Sequence, residues 1–314
     1  KALVLTAVTI NLWYRFTPEY FTLLIKHINN SNPRISARAI VGIVTSIISN
    51  HRYVLSDKYI YNLLKTTLSE SPKEYLFYEA ILAYHRSQIS EEKSYDLYDL
   101  AKMKALKLAT QKENDEHIEN KRNQDFFMML QNNFIDYRYE SFFQLLKKQP
   151  FKTEYKELCN WFKPFDFDEL CKKGLSETRK KIILTIAGDS NSSDIDKRMI
   201  SEFLLTMTEK ESENYFKGFI SKHNHNILES EPTFDETTYV NLYSRDIYRM
   251  MVNYKCQDTS FDSELKNASD FLSQKQMLKI FDNPEQLIRL SKKMAELNLS
   301  SDAIKIMTHI QSTL

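Results

Sequence analysis

The sequence predicts an all-α protein, a solenoid of stacked helical hairpins, and three observations carry that expectation. Apolar residues recur at helical spacing through most of the chain. Openings of the form cap, proline or further cap, acidic residue punctuate it, and from Thr17 to Ser56 is roughly 40 residues, the length of a two-helix repeat. Only 4 Gly and 7 Pro occur in 314 residues, too few for the tight turns of a sandwich or barrel or for a glycine-dependent nucleotide fold. With 42% apolar and 27% charged residues, the chain can bury a continuous core.

The first helix follows from the run after Lys1, in which Leu3, Ala7, Ile10 and Tyr14 mark one stripe. Thr17, Pro18 and Glu19 then supply a cap, a first-turn proline and a negative charge at the positive end of a second helix. Phe21, Leu24, Ile25 and Ile28 form its apolar face. The organising element is the run 32–50, NPRISARAIVGIVTSIISN. Asn32 caps it and Pro33 suits its first position, where no amide hydrogen is needed. Ala37, Ile40, Val41, Val44 and Ile48 share one face, while Ile35, Ala39, Ile43 and Ile47 load the adjoining side, so this helix requires cover on more than one side. Gly42 costs about 1 kcal/mol of helix propensity relative to Ala, a cost consistent with close approach of a neighbouring helix. Ser56 and Asp57 open another helix carrying Tyr59, Ile60, Leu63, Leu64 and Leu68. Ser71 and Pro72 introduce a third unit over 75–84, and a longer amphipathic helix is expected over 95–108.

The polar stretch 111–124 reads as a linker or exposed helix turn, after which the composition shifts to aromatics. Phe126, Phe127, Phe134, Tyr137, Phe142, Phe143 and Leu146 indicate one or two helices ending at Gln149 and Pro150, and a short helix is expected over 153–162. The helix over 176–187 ends at Gly188, and helical patterns resume over 195–205 and 215–220. A polar loop over 229–238 precedes a helix with Val240, Tyr243, Ile247, Met250, Met251 and Tyr254. Asn283, Pro284 and Glu285 repeat the helix opening, with Leu287, Leu290, Met294 and Leu297 on one face; a turn over 298–301 leads to Ala303, Ile304, Met307 and Ile310. The organisation expected is helical repeats over 1–110, an aromatic-rich helical block over 111–275 and a helical hairpin over 276–314, with further repeats beyond it, since one such hairpin cannot bury its own face.

Residues 1–110 resemble HEAT-type hairpins, best over 32–44, where Pro33 stands at the helix start with Ile35 and Arg38 in the first turns. The terminal hairpin, with Ala303 early in its second helix, resembles a tetratricopeptide unit. The order of hairpins, polar break, aromatic helix, then FFQLLKKQPF and LCNWFKPFD is similar to that of large helical-repeat proteins of Bacteroidetes-type bacteria. That resemblance implies a cytoplasmic repeat scaffold and carries over no catalytic residue.

Chemistry is sparsely signalled. The net charge of +1 gives no global attraction to nucleic acid or anionic membrane. Cys159, Cys171 and Cys256 match neither a metal-ligand spacing nor a disulfide framework and fit a reducing compartment. His223, Asn224 and His225 carry the letters of a nuclease signature without its acidic and further histidine ligands, so a solvated loop is the favoured account. Asp166 with Asp168, and Asp194 with Asp196, lack the glycine and closing Glu of a calcium loop and read as helix-capping carboxylates. No phosphate loop or nucleophile elbow occurs, and the four glycines stand alone. The apolar run near Lys1 lacks a small-residue cleavage site and is well short of the roughly 20 residues that span a bilayer; it reads as the start of a buried repeat helix in a longer chain. No catalytic, cofactor-binding or metal-ligating residue is assigned, and a non-enzymatic protein is expected.

Two groups remain as partner-binding candidates. Trp161, Phe162 and Phe165 form either an exposed anchor for a peptide or, the favoured account, the core joining two helical blocks. Residues 1–110 hold 14 Lys or Arg against 9 Asp or Glu, with Arg34 and Arg38 one turn apart. Interleaved with tyrosines they suggest a nucleic-acid groove, but so modest an excess fits a solvated ridge better. The expected function is a cytoplasmic, non-catalytic scaffold for a protein partner, with a nucleic-acid-binding helical repeat as the alternative.

Overall fold

Helix α3 (Pro33–Ser56) is the element against which α1 (Ala2–Tyr14), α2 (Pro18–Ile25) and α4 (Lys58–Glu70) all pack. A computed structural model of the chain describes residues 1–91, 139–148, 151–154, 157–172, 175–212, 234–255 and 275–313. The described residues form helices and connecting turns, with no strand among them.

The start of α3 is fixed as its sequence requires. Asn32 Oδ1 accepts from the backbone N–H of Arg34 at 3.0 Å and of Ile35 at 3.2 Å, with Pro33 in the first turn. Every residue from Ser36 to Ile48 is buried. Both serines among them find acceptors: the Ser36 hydroxyl donates to Ile28 O at 2.5 Å, and Ser46 to Gly42 O at 2.7 Å. A Cβ on Gly42 would stand 2.3 Å from Thr9 Oγ1 and 3.0 Å from Leu24 Cδ1, so the missing side chain lets α1 and α2 close on α3. Helical geometry breaks at Asn50 (φ −134°, ψ 27°), whose amide donates to Leu12 O at 2.8 Å and ties the break to α1.

Other caps follow the sequence with one correction. Asp57 accepts from Tyr59 N and Ile60 N at the start of α4. Thr17 does not cap α2 with its side chain; its hydroxyl turns back towards Arg15 O at 3.5 Å. The third unit is a helix over 74–91, α5. The single helix expected over 153–162 is two short pieces, α7 (Phe151–Glu154) and α8 (Leu158–Trp161), preceded by α6 (Tyr139–Leu146). Then come α9 (Phe167–Cys171), capped by Asp166, α10 (Glu177–Ala187), capped by Ser176 and closed by Gly188, and α11 (Asp194–Thr206). α12 (Glu236–Lys255) starts inside the stretch read as a loop and lies against α3. After α13 (Lys275–Leu278), the helices α14 (Pro284–Glu296) and α15 (Ser300–Thr313) pair as a hairpin.

The turn of that hairpin is legible atom by atom. Asn298 takes a left-handed conformation (φ 64°), Asn298 N–H donates to Ala295 O at 3.0 Å, and Leu299 N–H donates to Met294 O at 2.9 Å, the two bonds of a Schellman closure. The hairpin is joined to α5: Lys293 Nζ meets Glu79 Oε1 at 2.7 Å, Asn283 donates to Glu74 at 2.9 Å, and the Phe281 ring sits edge-on to Tyr78. One main core runs from Leu5 to Ile310 and draws on all three segments of the chain. A smaller core gathers Phe165, Leu170, Ile182, Ile183, Ile186 and Leu204. The linker over 111–124, the stretches over 95–108 and 215–220, Cys256 and the triplet His223, Asn224 and His225 lie outside the described residues.

Candidate functional site

Arg34 and Arg38 stand one turn apart on α3, and Tyr239 and Tyr243 one turn apart on α12, so two cation-over-ring contacts form in register. The Arg34 guanidinium lies 5.2 Å from the Tyr239 ring centroid, and that of Arg38 lies 5.0 Å from Tyr243. Arg38 is buried; it donates to Thr6 Oγ1 at 2.6 Å and to Phe162 O at 3.4 Å. Thr6 also accepts from the Tyr243 hydroxyl at 3.0 Å. Arg34 is partly exposed and faces Asp194 Oδ2 at 3.7 Å. Both arginines therefore serve the seam between α3 and α12, and Arg38 is turned away from any phosphate backbone passing outside.

The start of α11 closes the third side. Ser193 caps it in a reciprocal arrangement with Asp196, and Asp194 occupies its first turn, so the carboxylates here belong to the helix opening. Lys197, one turn on, donates to Ala187 O at 2.7 Å and lies 4.7 Å from the Phe234 ring. Between the three helices is a cleft of about 40 Å³, lined by Arg34, Arg38, Ser193, Lys197, Tyr243 and Asp246 among others. That is room for a few waters or one small polyatomic group.

Behind the cleft lies a buried ionic cluster. Asp196 meets Arg245 at 2.7 Å and Arg249 at 2.8 Å, and the Arg249 side chain is fully buried with its guanidinium 4.3 Å from the Phe142 ring centroid. Asp246, 6% exposed, has no hydrogen-bond partner for Oδ1. Burial, and then the neighbouring Asp196 charge, push its carboxyl up to about 7, against the pull of Arg245, Arg249 and the Ser193 hydroxyl. Sequence reading missed this set. Its signal was the trio Arg245, Asp246 and Arg249, which breaks into the buried stripe of Tyr243, Ile247, Met250 and Met251 on α12.

Trp161, Phe162 and Phe165 are 0, 3 and 4% exposed. Trp161 and Phe162 pack in the main core, against Phe142 and Tyr243 respectively, and Phe165 in the smaller one. As placed they join helical blocks and present no ring to a partner.

Exposed apolar surface is found instead on the terminal hairpin, at Ile288, Ile304 and Met307, and on α1. This helix carries no charged residue from Ala2 to Tyr14. Leu5, Val8, Leu12 and Trp13 are buried, yet Leu3, Val4 and Tyr14 are 47, 58 and 53% exposed, and Ala7 is exposed between them. Leu3, Ala7, Asn11 and Tyr14 recur at helical spacing, one outward stripe of about 16 Å with Asn11 its polar member. Exposed Lys1 and Arg15 stand at its two ends. Among the described residues, no group of three His, Cys, Asp or Glu is placed to hold a metal ion, and no helix is long and apolar enough to cross a membrane. Comparison of the chain with protein-family models, curated proteins and solved structures finds no match.

Proposed function

We propose that this protein is a non-catalytic interaction scaffold, a solenoid of helical repeats, and that the outer face of α1 is where a partner protein docks. The observation that carries this reading is the mismatch on α1 between composition and exposure: the helix carries no charged residue from Ala2 to Tyr14, and one of its faces is covered by α2 and α3 while Leu3, Val4, Ala7, Asn11 and Tyr14 are exposed. The occupant that fits is an amphipathic helix of the partner. Its apolar stripe would lie along Leu3, Ala7 and Tyr14, and acidic residues at its rims would face Lys1 and Arg15, which flank the uncharged helix.

The test is a photo-crosslinking amino acid placed at Ala7 in cells of the source organism, with the same group at exposed Asn62 on α4 as the control. The expected result is one adduct with another protein that forms from position 7, is absent from position 62, and disappears with Val4→Asp. Adducts only with a second copy of this chain, only with lipid, or equally from both positions would overturn the reading.

A further inference from the structure

We propose that the edge where the α1–α2 turn meets the α3–α4 turn is a docking surface for single-stranded RNA, whose bases stack on exposed tyrosine rings while its phosphates meet the cations set among them. This surface goes beyond the partner reading of the α1 stripe. The two turns are fixed side by side: the Phe16 and Tyr53 rings stack with centroids 6.0 Å apart and planes 7° apart, and the Asn50 amide donates to Leu12 O at 2.8 Å. Tyr20, in the first turn of α2, is 41% exposed, and Tyr53 and Tyr59, on either side of the α3–α4 turn, are 63 and 67% exposed. Together with Tyr14, these are the most exposed tyrosines among the described residues.

Cations alternate with the rings along both turns. Arg15 precedes Phe16, Arg52 precedes Tyr53 and Lys58 precedes Tyr59, and all three are exposed. Unlike Arg34, Arg38 and Lys197, their charged ends meet no carboxylate, carbonyl or ring among the described residues. Two carboxylates share these stretches: Asp57 is occupied by the N–H groups of Tyr59 and Ile60, and Glu19 is exposed. Unpaired cations and exposed rings along one edge match the alternating phosphate and base of a single strand, in which every base has a face free to stack. An acidic protein segment would answer the cations and leave the rings in water, and a duplex would keep its bases stacked on one another. The hydroxyls of Tyr20, Tyr53 and Tyr59 have no hydrogen-bond partner among the described residues, and the ribose 2′-OH, both donor and acceptor, supplies one, which favours RNA over DNA. Arg34 and Arg38, committed to the seam between α3 and α12, take no part.

The experiment is fluorescence anisotropy of a labelled single-stranded RNA of about 12 nucleotides and mixed sequence, titrated with the protein at about 50 and about 200 mM salt. The expected result is binding that weakens by roughly tenfold or more between the two, since three phosphate contacts give a slope of about −2 in log affinity against log salt. Tyr53→Ala and Tyr59→Ala should each weaken binding at least about fivefold with the salt slope unchanged, whereas Arg52→Gln and Lys58→Gln should each reduce that slope by about 0.7. All four side chains are exposed, so the melting temperature should stay with the parent's. DNA of the same sequence should bind about threefold more weakly than the RNA, and Tyr59→Phe should keep the stacking while losing part of that preference. Four results would each overturn the proposal: no binding at about 50 mM salt, single-stranded DNA or duplex bound as tightly as the RNA, polyphosphate competing as well as unlabelled RNA, or both tyrosine-to-alanine variants binding as the parent does. Crosslinking from Ala7 reports on the α1 stripe separately, so failure of one reading leaves the other standing.

Discussion

Helices α1 and α3 start from similar material and end in opposite situations. α1 draws its apolar residues mainly from Leu, Val and Ala and α3 from Ile, Val and Ala, and they touch through Thr9 and Gly42. α3 is covered all round by α1, α2, α4 and α12, so each of its apolar side chains from Ala37 to Ile48 contributes to folding. α1 covers α3 with one side and leaves Leu3, Val4, Ala7 and Tyr14 outward. Apolar surface is therefore placed differently: in α3 it is buried within this chain, whereas along the outer stripe of α1 it is left open, the surface on which the proposed association rests. The comparison makes both claims separable by mutation.

The largest contrast is between a buried and an outward side chain. Ile43→Ala removes a fully buried residue from α3 and should lower unfolding free energy by about 2–5 kcal/mol, read by urea denaturation. Val4→Ala, exposed beside the outer stripe, should change it by no more than about 0.5 kcal/mol in the isolated protein. A loss of similar size at both would mean that the stripe is covered by this chain itself.

The next effect concerns the seam between α3 and α12. Because the folded-state carboxyl of Asp246 is raised above its unfolded value, the folded form holds the proton more strongly, and the stability this gives is lost as pH rises through about 7. Stability should therefore fall between pH 5 and pH 8. Asp246→Asn should flatten that part of the profile and gain on the order of 1–3 kcal/mol over the parent at pH 8. A profile unchanged by the substitution would contradict the assignment.

Smaller effects probe how tightly α1 is seated. Gly42→Ala gains about 1 kcal/mol of helix propensity but drives a methyl onto Thr9 Oγ1, so a net loss of about 1–2 kcal/mol is expected. Thr9→Ala in the same chain should recover part of that loss, the signature of direct coupling in a double-mutant cycle. Least of all, Asn32→Ala should cost about 1 kcal/mol through its two cap bonds, whereas Thr17→Ala, whose hydroxyl makes no cap bond, should cost nearly nothing.

The sequence made the local features of this fold readable where one residue type has one physical use. The cap at Asn32, the close approach at Gly42, the helix end at Gly188 and the turn at Asn298 all depend on a few neighbouring atoms. The all-helical class follows from spacing in the same way. What was not legible depends on pairing across long stretches of chain. Arg34 and Arg38 looked like a surface ridge because nothing local indicates that Tyr239 and Tyr243 lie over them. Asp194 and Asp196 were read as capping residues; Asp196 completes the capping box while Asp194 only occupies the first turn, and their roles towards α3 and α12 exist only once those helices meet. The Leu3, Ala7 and Tyr14 stripe was visible in the sequence, but periodicity cannot say which stripe of an apolar helix faces inward.

The most direct measurement is the affinity of the partner segment, identified by crosslinking at Ala7, for the parent protein and for Val4→Asp. The account predicts at least tenfold weaker binding, with a melting temperature within about 4 °C of the parent. Unchanged affinity, or a loss of binding that only tracks unfolding of the chain, would contradict it.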